Sequence, residues 1–225
     1  IGASALANCR NLKTIVLPNN LKRIDALAFY NSPIKEILIP ANVTTIVASA
    51  FDECSNLINI NVEEDNKNYS SVDGVLYDKE QLAIIRYPKG RTETSIIIPD
   101  TVTTIGDNVF AACTNLTVIE LPNDLLTIGN ASFSGCTGLT EIVLPERLIS
   151  IGNNAFSACG NMKSIVIPNS VTSIGNEAFY NCRKLVSAQL PNNLESLGSS
   201  VFYGCYSLES IEIPSSIVYV PQSAF

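Results

Sequence analysis

Phenylalanine returns every 23 residues along this chain, at Phe110, Phe133, Phe156, Phe179, Phe202 and Phe225. Proline keeps the same step at Pro99, Pro122, Pro145, Pro168, Pro191 and Pro214, and cysteine at Cys113, Cys136, Cys159, Cys182 and Cys205. A fixed period of about 20–29 residues marks a stacked solenoid, because no single unit can bury its apolar side alone. The period therefore restricts the architecture tightly. It says little about function, since a repeat array offers a surface without naming what sits on it.

The unit opening at Phe156 shows the template: Phe156, Cys159, Met162, Ile165, Ile167, Pro168, Val171, Ile174, Gly175, Ala178. Ile165 and Ile167 alternate as in a strand with one face buried. One such strand per coil, stacked at ~4.8 Å, predicts a parallel sheet ~40 Å long for nine coils. Pro168 removes a backbone donor and ends the strand. Val171 and Ile174 form a second apolar pair on the return side. Gly175 is expected to permit a tight turn or a positive φ. Ala178-Phe179 is expected to head a short helical or 3-10 turn, with the ring filling the centre of the coil. Leu6, Phe29 and Phe51 open further units, the second shortened by one residue around Ser32-Pro33.

The seven cysteines, Cys9 and Cys54 included, occupy one column of the repeat. Side chains in a single column point in parallel, which is poor disulfide geometry. No C-x₂₋₄-C cluster suggests a metal. The column reads as small, soft core residues.

Phe51 to Phe110 is 59 residues, two units plus 13 extra. Within this stretch Asp73-Gly74 is a turn signal, and Val75–Tyr77 and Ile84–Tyr87 read as paired strands joined near Lys79-Glu80. Such interruptions either bind a partner or merely cover core, and both readings stay open here. The whole chain reads as one β-dominated α/β domain over residues 1–225, about nine coils of 23 interrupted over 61–98. It begins inside a repeat and reads as a segment of a longer protein.

Chemistry is sparse. There is no histidine, which excludes Ser-His-Asp and Cys-His catalysis and His-ligated metals. No phosphate-cradling glycine motif occurs. The densest acidic cluster, Glu63-Glu64-Asp65, reads as a solvated loop without calcium-site spacing. Asn42, Asn68, Asn115 and Asn130 head glycosylation sequons that arise readily by chance in an Asn-rich repeat. A net charge of −7 argues against nucleic acid and anionic lipid. No apolar run is long enough to span a bilayer.

The string from Ile167 to Cys182, IPNSVTSIGNEAFYNC, resembles the BspA-like (Treponema pallidum type) leucine-rich repeat. The stretch Tyr69–Tyr77 resembles an N-x-x-Y-x-S-x-D-G-V-L-Y element that interrupts many arrays of this family. The resemblance implies a curved right-handed leucine-rich-repeat solenoid, its parallel sheet on the concave side and short strands and helical or 3-10 turns on the other. It also implies an extracellular or cell-surface location, on a host-associated bacterium or a parasitic protist, and an adhesin-type role without catalysis. Glu63 in the proline place, Asp25 and Val47 in the glycine place, and Pro221 after Val220 depart from the pattern.

The exposed strand positions flank the two buried residues of each unit. Thr14, Glu36, Asn59, Val118, Glu141, Ser164, Ser187 and Ser210 precede the first; Val16, Leu38, Asn61, Glu120, Val143, Val166, Gln189 and Glu212 lie between the two. This ladder is expected to line the concave face, small and mildly acidic, without aromatic anchors. The candidate protein-binding residues are Glu36, Asn59, Asn61, Glu120, Glu141, Gln189 and Glu212 on the ladder, with Tyr69, Tyr77 and Tyr87 on the hairpin. The expected partner is a host matrix, serum or microbial surface protein, bound by a monomer without a cofactor. The alternative is a structural spacer with no ligand of its own.

Overall fold

The computed structural model describes residues 1–225, which form two compact units, Ile1–Thr92 and Glu93–Phe225. Each unit is a segment of leucine-rich-repeat solenoid with two rows of short parallel strands.

In the first unit the Ile-x-Ile row contains β2 (Glu36–Ile39) and β4 (Asn59–Val62), paired from Glu36↔Asn59 to Ile39↔Val62. The return row pairs β1 (Arg23–Ile24) with β3 (Thr45–Ile46). An antiparallel meander follows: β5 (Tyr69–Val72), β6 (Val75–Asp78) and β7 (Ala83–Arg86). The hairpin expected over 75–87 is therefore present as β6 and β7, with an additional strand before it.

In the second unit the Ile-x-Ile row contains β8 (Ser95–Ile97), β10 (Val118–Glu120), β13 (Ser164–Val166) and β15 (Ser187–Gln189). The return row is an unbroken run of two-residue strands: β9 (Thr104–Ile105), β11 (Thr127–Ile128), β12 (Ser150–Ile151), β14 (Ser173–Ile174) and β16 (Ser196–Leu197). All pairs hold the 23-residue register, as in Ile151↔Ile174. Strands this short persist because each Ile side chain is buried against its copies in adjacent coils.

The phenylalanines form the axis of each unit. Phe110, Phe133, Phe156, Phe179 and Phe202 are each at most 2% exposed. Their rings stack nearly parallel, with centroids 5.2, 5.0, 5.3 and 5.4 Å apart along the file.

The segments carrying these rings differ from the expectation of helical turns. Only Ala48–Phe51 forms a 3-10 turn. Elsewhere the residues two before and two after the Phe sit in the left-handed region, for example Asn154 (φ 56) and Ala158 (φ 58) around Phe156. Intervening residues stay on the ordinary side, so alternate N–H groups face the next coil. Asn154 N, Phe156 N and Ala158 N donate to the carbonyls of Asn176, Ala178 and Tyr180 at 2.8, 2.7 and 2.7 Å. These bonds offset the cost of a left-handed L-residue, ~1–2 kcal/mol each. Phe51 has no unit 23 residues further on, and there the chain closes bonds within its own turn.

Gly175 corrects one of the two alternatives expected for it, the positive φ. Its φ is not positive; a Cβ there would lie 2.5 Å from Asn153 N and 2.6 Å from the Gly152 carbonyl carbon. The glycine is required because successive backbones touch at this corner.

Six of the seven cysteines are buried and Cys9 is half-buried; all are free thiols. Each buried thiol with an assigned partner donates to the carbonyl of the preceding coil's Phe, as Cys136 Sγ to Phe110 O at 3.0 Å and Cys159 Sγ to Phe133 O at 3.1 Å. Burial pushes the Cys159 thiol up to about 12 and raises Cys54 and Cys136 as well, while the hydrogen bond with Cys205, and then burial, raise Cys182. The column is core, with a donor that an alanine would lack.

Candidate functional site

The exposed positions of the Ile-x-Ile row follow from strand alternation: each coil buries two residues and turns the one between them outward. Val16 is 95% exposed, Ile97 72%, Val143 83% and Val166 59%. Glu36, Asn61, Glu120, Glu141, Gln189 and Glu212 are exposed on the same row, as expected. Asn59 is half-buried beneath the Asp73-Gly74 turn, and a Cβ on Gly74 would meet its Oδ1 at 2.3 Å.

The hairpin tyrosines are placed differently from the sequence expectation. Tyr77 is 2% and Tyr87 3% exposed, so neither can touch a partner. Burial pushes the Tyr77 phenol up to about 12. Tyr69 is half-buried, and its hydroxyl accepts the Ile46 N–H at 2.8 Å. The meander stands where the next coil's strand would be. Ile60 N donates to Gly74 O and Val62 N to Ser71 Oγ, which satisfies the free side of β4.

Two buried polar groups fasten the insertion. Asn66, fully buried, donates to Pro40 O and Val43 O and accepts from the N–H groups of Asn68 and Tyr69. Arg86, 3% exposed, pairs with Asp52 at 2.7 Å and donates to Phe51 O at 3.0 Å. Neither anchor was singled out from the sequence. Glu63 also has a structural task, since its carboxylate accepts the Ala41 N–H at 2.7 Å. Glu64 and Asp65 are exposed beside it.

A further ladder escaped the sequence reading. Asp107, Asn130, Asn153 and Asn176 each follow the corner glycine. The side-chain oxygen of each accepts the N–H of its counterpart one coil on, at 2.6, 2.9, 2.8 and 2.8 Å. The 23-residue spacing of these side chains was the available signal.

No group of three or more His, Cys, Asp or Glu side chains is arranged to hold a metal, and no helix is long and apolar enough to cross a membrane. The apolar column was visible as the residues between each Ile pair, but its extent was not. Val143 and Val166, joined by Ile97 in the same column and by Val118 in the position before its pair, make the row substantially more apolar than its carboxylates suggested.

Two strand rows, a stacked phenylalanine file and an outward apolar column define a leucine-rich-repeat array of the kind whose coils are closed by an Ile-Gly corner. The chain belongs to the BspA type leucine rich repeat family, whose profile matches residues 1–94, 87–170 and 149–225. Among solved structures, it resembles a leucine rich cell surface protein of Faecalibacterium prausnitzii A2-165, with 33% identity, a TM-score of 0.83 and 92% of this chain covered. It also resembles the pneumococcal vaccine antigen PcpA, with 29% identity, a TM-score of 0.82 and 93% covered. A Treponema pallidum leucine rich repeat protein matches 68% of the chain and 71% of its own at 30% identity, with a TM-score of 0.57. The chain spans 55% and 53% of the length of the first two structures. A search of curated proteins returned no match.

Proposed function

We propose that this chain is a non-enzymatic protein-binding module of a cell-surface or secreted adhesin-type protein. The observation that carries this reading is the outward face of the Ile-x-Ile row, where branched apolar side chains stand exposed among carboxylates. Contiguous exposed apolar side chains rimmed by polar residues mark protein–protein contact sites. The proposed contact residues are Glu36, Asn61, Glu120, Glu141, Gln189 and Glu212 with the valines beside them. The resemblance to a cell surface protein and a vaccine antigen supports an extracellular place. The partner class is a host matrix, serum or microbial surface protein.

The test is capture. The immobilised chain, exposed to matrix proteins, serum and bacterial surface extracts, retains a specific protein above background. Failure to retain any would refute the reading. The spacer alternative gains from the hairpin, whose tyrosines are turned inward. It would be favoured by an array that captures nothing yet resists unfolding under load.

A further inference from the structure

The Ile-x-Ile row of the second unit opens around one coil. β8 pairs with β10 and β13 with β15, yet Glu141–Leu144 pairs with neither neighbour. None of the backbone N–H or C=O groups of these four residues bonds to another backbone group. The same coil is closed on its return side, where β12 pairs with both β11 and β14. Only the front of the coil is open, a seam between the β8–β10 and β13–β15 pairs.

Troughs of about 320 and 270 Å³ lie on the two sides of the seam. The outward side chains beside them are Val118, Val143 and Val166, 48, 83 and 59% exposed. The charged residues lining them are Glu120, Glu141 and Glu146, with no lysine or arginine. Arg147, next along the chain, is engaged with Asp124 at 2.7 Å. The surface therefore presents apolar area, negative charge and carbonyl acceptors together. A complementary partner must bring apolar surface and several donors carrying positive charge. Guanidinium fits better than ammonium, because its planar donors can bridge a carboxylate and a carbonyl at once.

We propose that this seam docks an arginine-bearing, otherwise apolar segment of a protein partner. Guanidinium groups enter the troughs beside Val143 and donate to Glu120, Glu141 and the free carbonyls of residues 141–144. The apolar side chains of the segment cover Val118, Val143 and Val166. The inference rests on the protein-binding reading above and specifies the chemistry of the partner.

The experiment uses the whole 225-residue chain and a fluorescein-labelled decapeptide of alternating arginine and valine, read by fluorescence anisotropy. A glutamate–valine peptide serves as the control. Saturable binding is expected for the first peptide and none for the second. The double variant E120Q/E141Q, exposed and outside the core, should weaken binding about tenfold through the loss of two exposed charge contacts. V143S should weaken it severalfold. E64Q/E195Q removes the same net charge elsewhere and should leave binding unchanged. Absence of binding, or equal weakening by both double variants, would overturn the proposal, the latter showing only attraction to an acidic chain. A captured protein partner indifferent to E120Q/E141Q would sink this inference and leave the protein-binding reading standing.

Discussion

Phe156→Ala tests whether the ring file holds the second unit together. Phe156 is fully buried, with rings at 5.0 and 5.3 Å on its two sides. Losing the buried ring forfeits ~2–3 kcal/mol of transfer free energy. A void of ~100 Å³ adds ~2 kcal/mol at the usual cost per unit volume. The void cannot close easily, because Phe156 N and Ala158 N are tied to the next coil at 2.7 Å each and their carbonyl partners are held in turn. The total is about 5 kcal/mol, comparable with the whole stability of many domains. Phe225→Ala is the internal control: that ring is 43% exposed and stacks on Phe202 alone at 5.8 Å, so about 1–2 kcal/mol is expected. Urea unfolding followed by circular dichroism measures both, and amide exchange shows whether protection is lost in the neighbouring coils first. Equal costs for the two variants, or a cost below ~1 kcal/mol at Phe156, would refute the stacking argument.

Three further perturbations address separate parts of the fold. Gly175→Ala drives a Cβ to 2.5 Å from Asn153 N and should cost several kcal/mol, about 3 or more, whereas Gly160→Ala, with its nearest atom at 3.9 Å, should change the urea midpoint little. Asp52→Ala strips the carboxylate from buried Arg86 and should cost about 3 kcal/mol, at the low end for a broken buried pair because Asp52 is 26% exposed; Asp52→Asn should recover part of that in thermal melts. Thiol labelling of native protein at pH 8 should mark half-buried Cys9 quickly and the buried cysteines slowly. Because the folded Cys159 pKa is raised from 9.0 to about 12, the thiol's contribution is fully present below pH 9 and lost as pH climbs towards 12, so stability should fall across that window.

The division between what was legible and what was not follows the range of the interactions. The strand pair Ile165-x-Ile167, the stop at Pro168 and the buried cysteine column each depend on one coil and its identical neighbour, so periodicity alone exposes them. The turn at Phe156 and the role of Gly175 were misassigned because both depend on inter-coil backbone distance. A helical turn satisfies its own N–H groups; here the adjacent coil is near enough to accept them, so the left-handed residues Asn154 and Ala158 replace a helix. Asparagine at such positions was a readable trace of that choice.

The insertion shows the same limit from the other side. Asp73-Gly74 announced a hairpin, but exposure of its tyrosines depends on what the hairpin lies against. β4 ends a parallel pair, and an unpaired strand edge beside it would be both costly and prone to association. The meander covers that edge through Gly74 and Ser71 and is locked by Asn66 and Arg86. Closing the edge therefore requires the tyrosine faces to turn inward, which removes Tyr77 and Tyr87 from the exposed surface. The seam at Glu141–Leu144 arises in a coil whose sequence, EIVLP, matches its neighbours closely. Loss of strand pairing between otherwise equivalent coils leaves no residue signature, so the repeat that made the fold readable also concealed where its front ladder is interrupted.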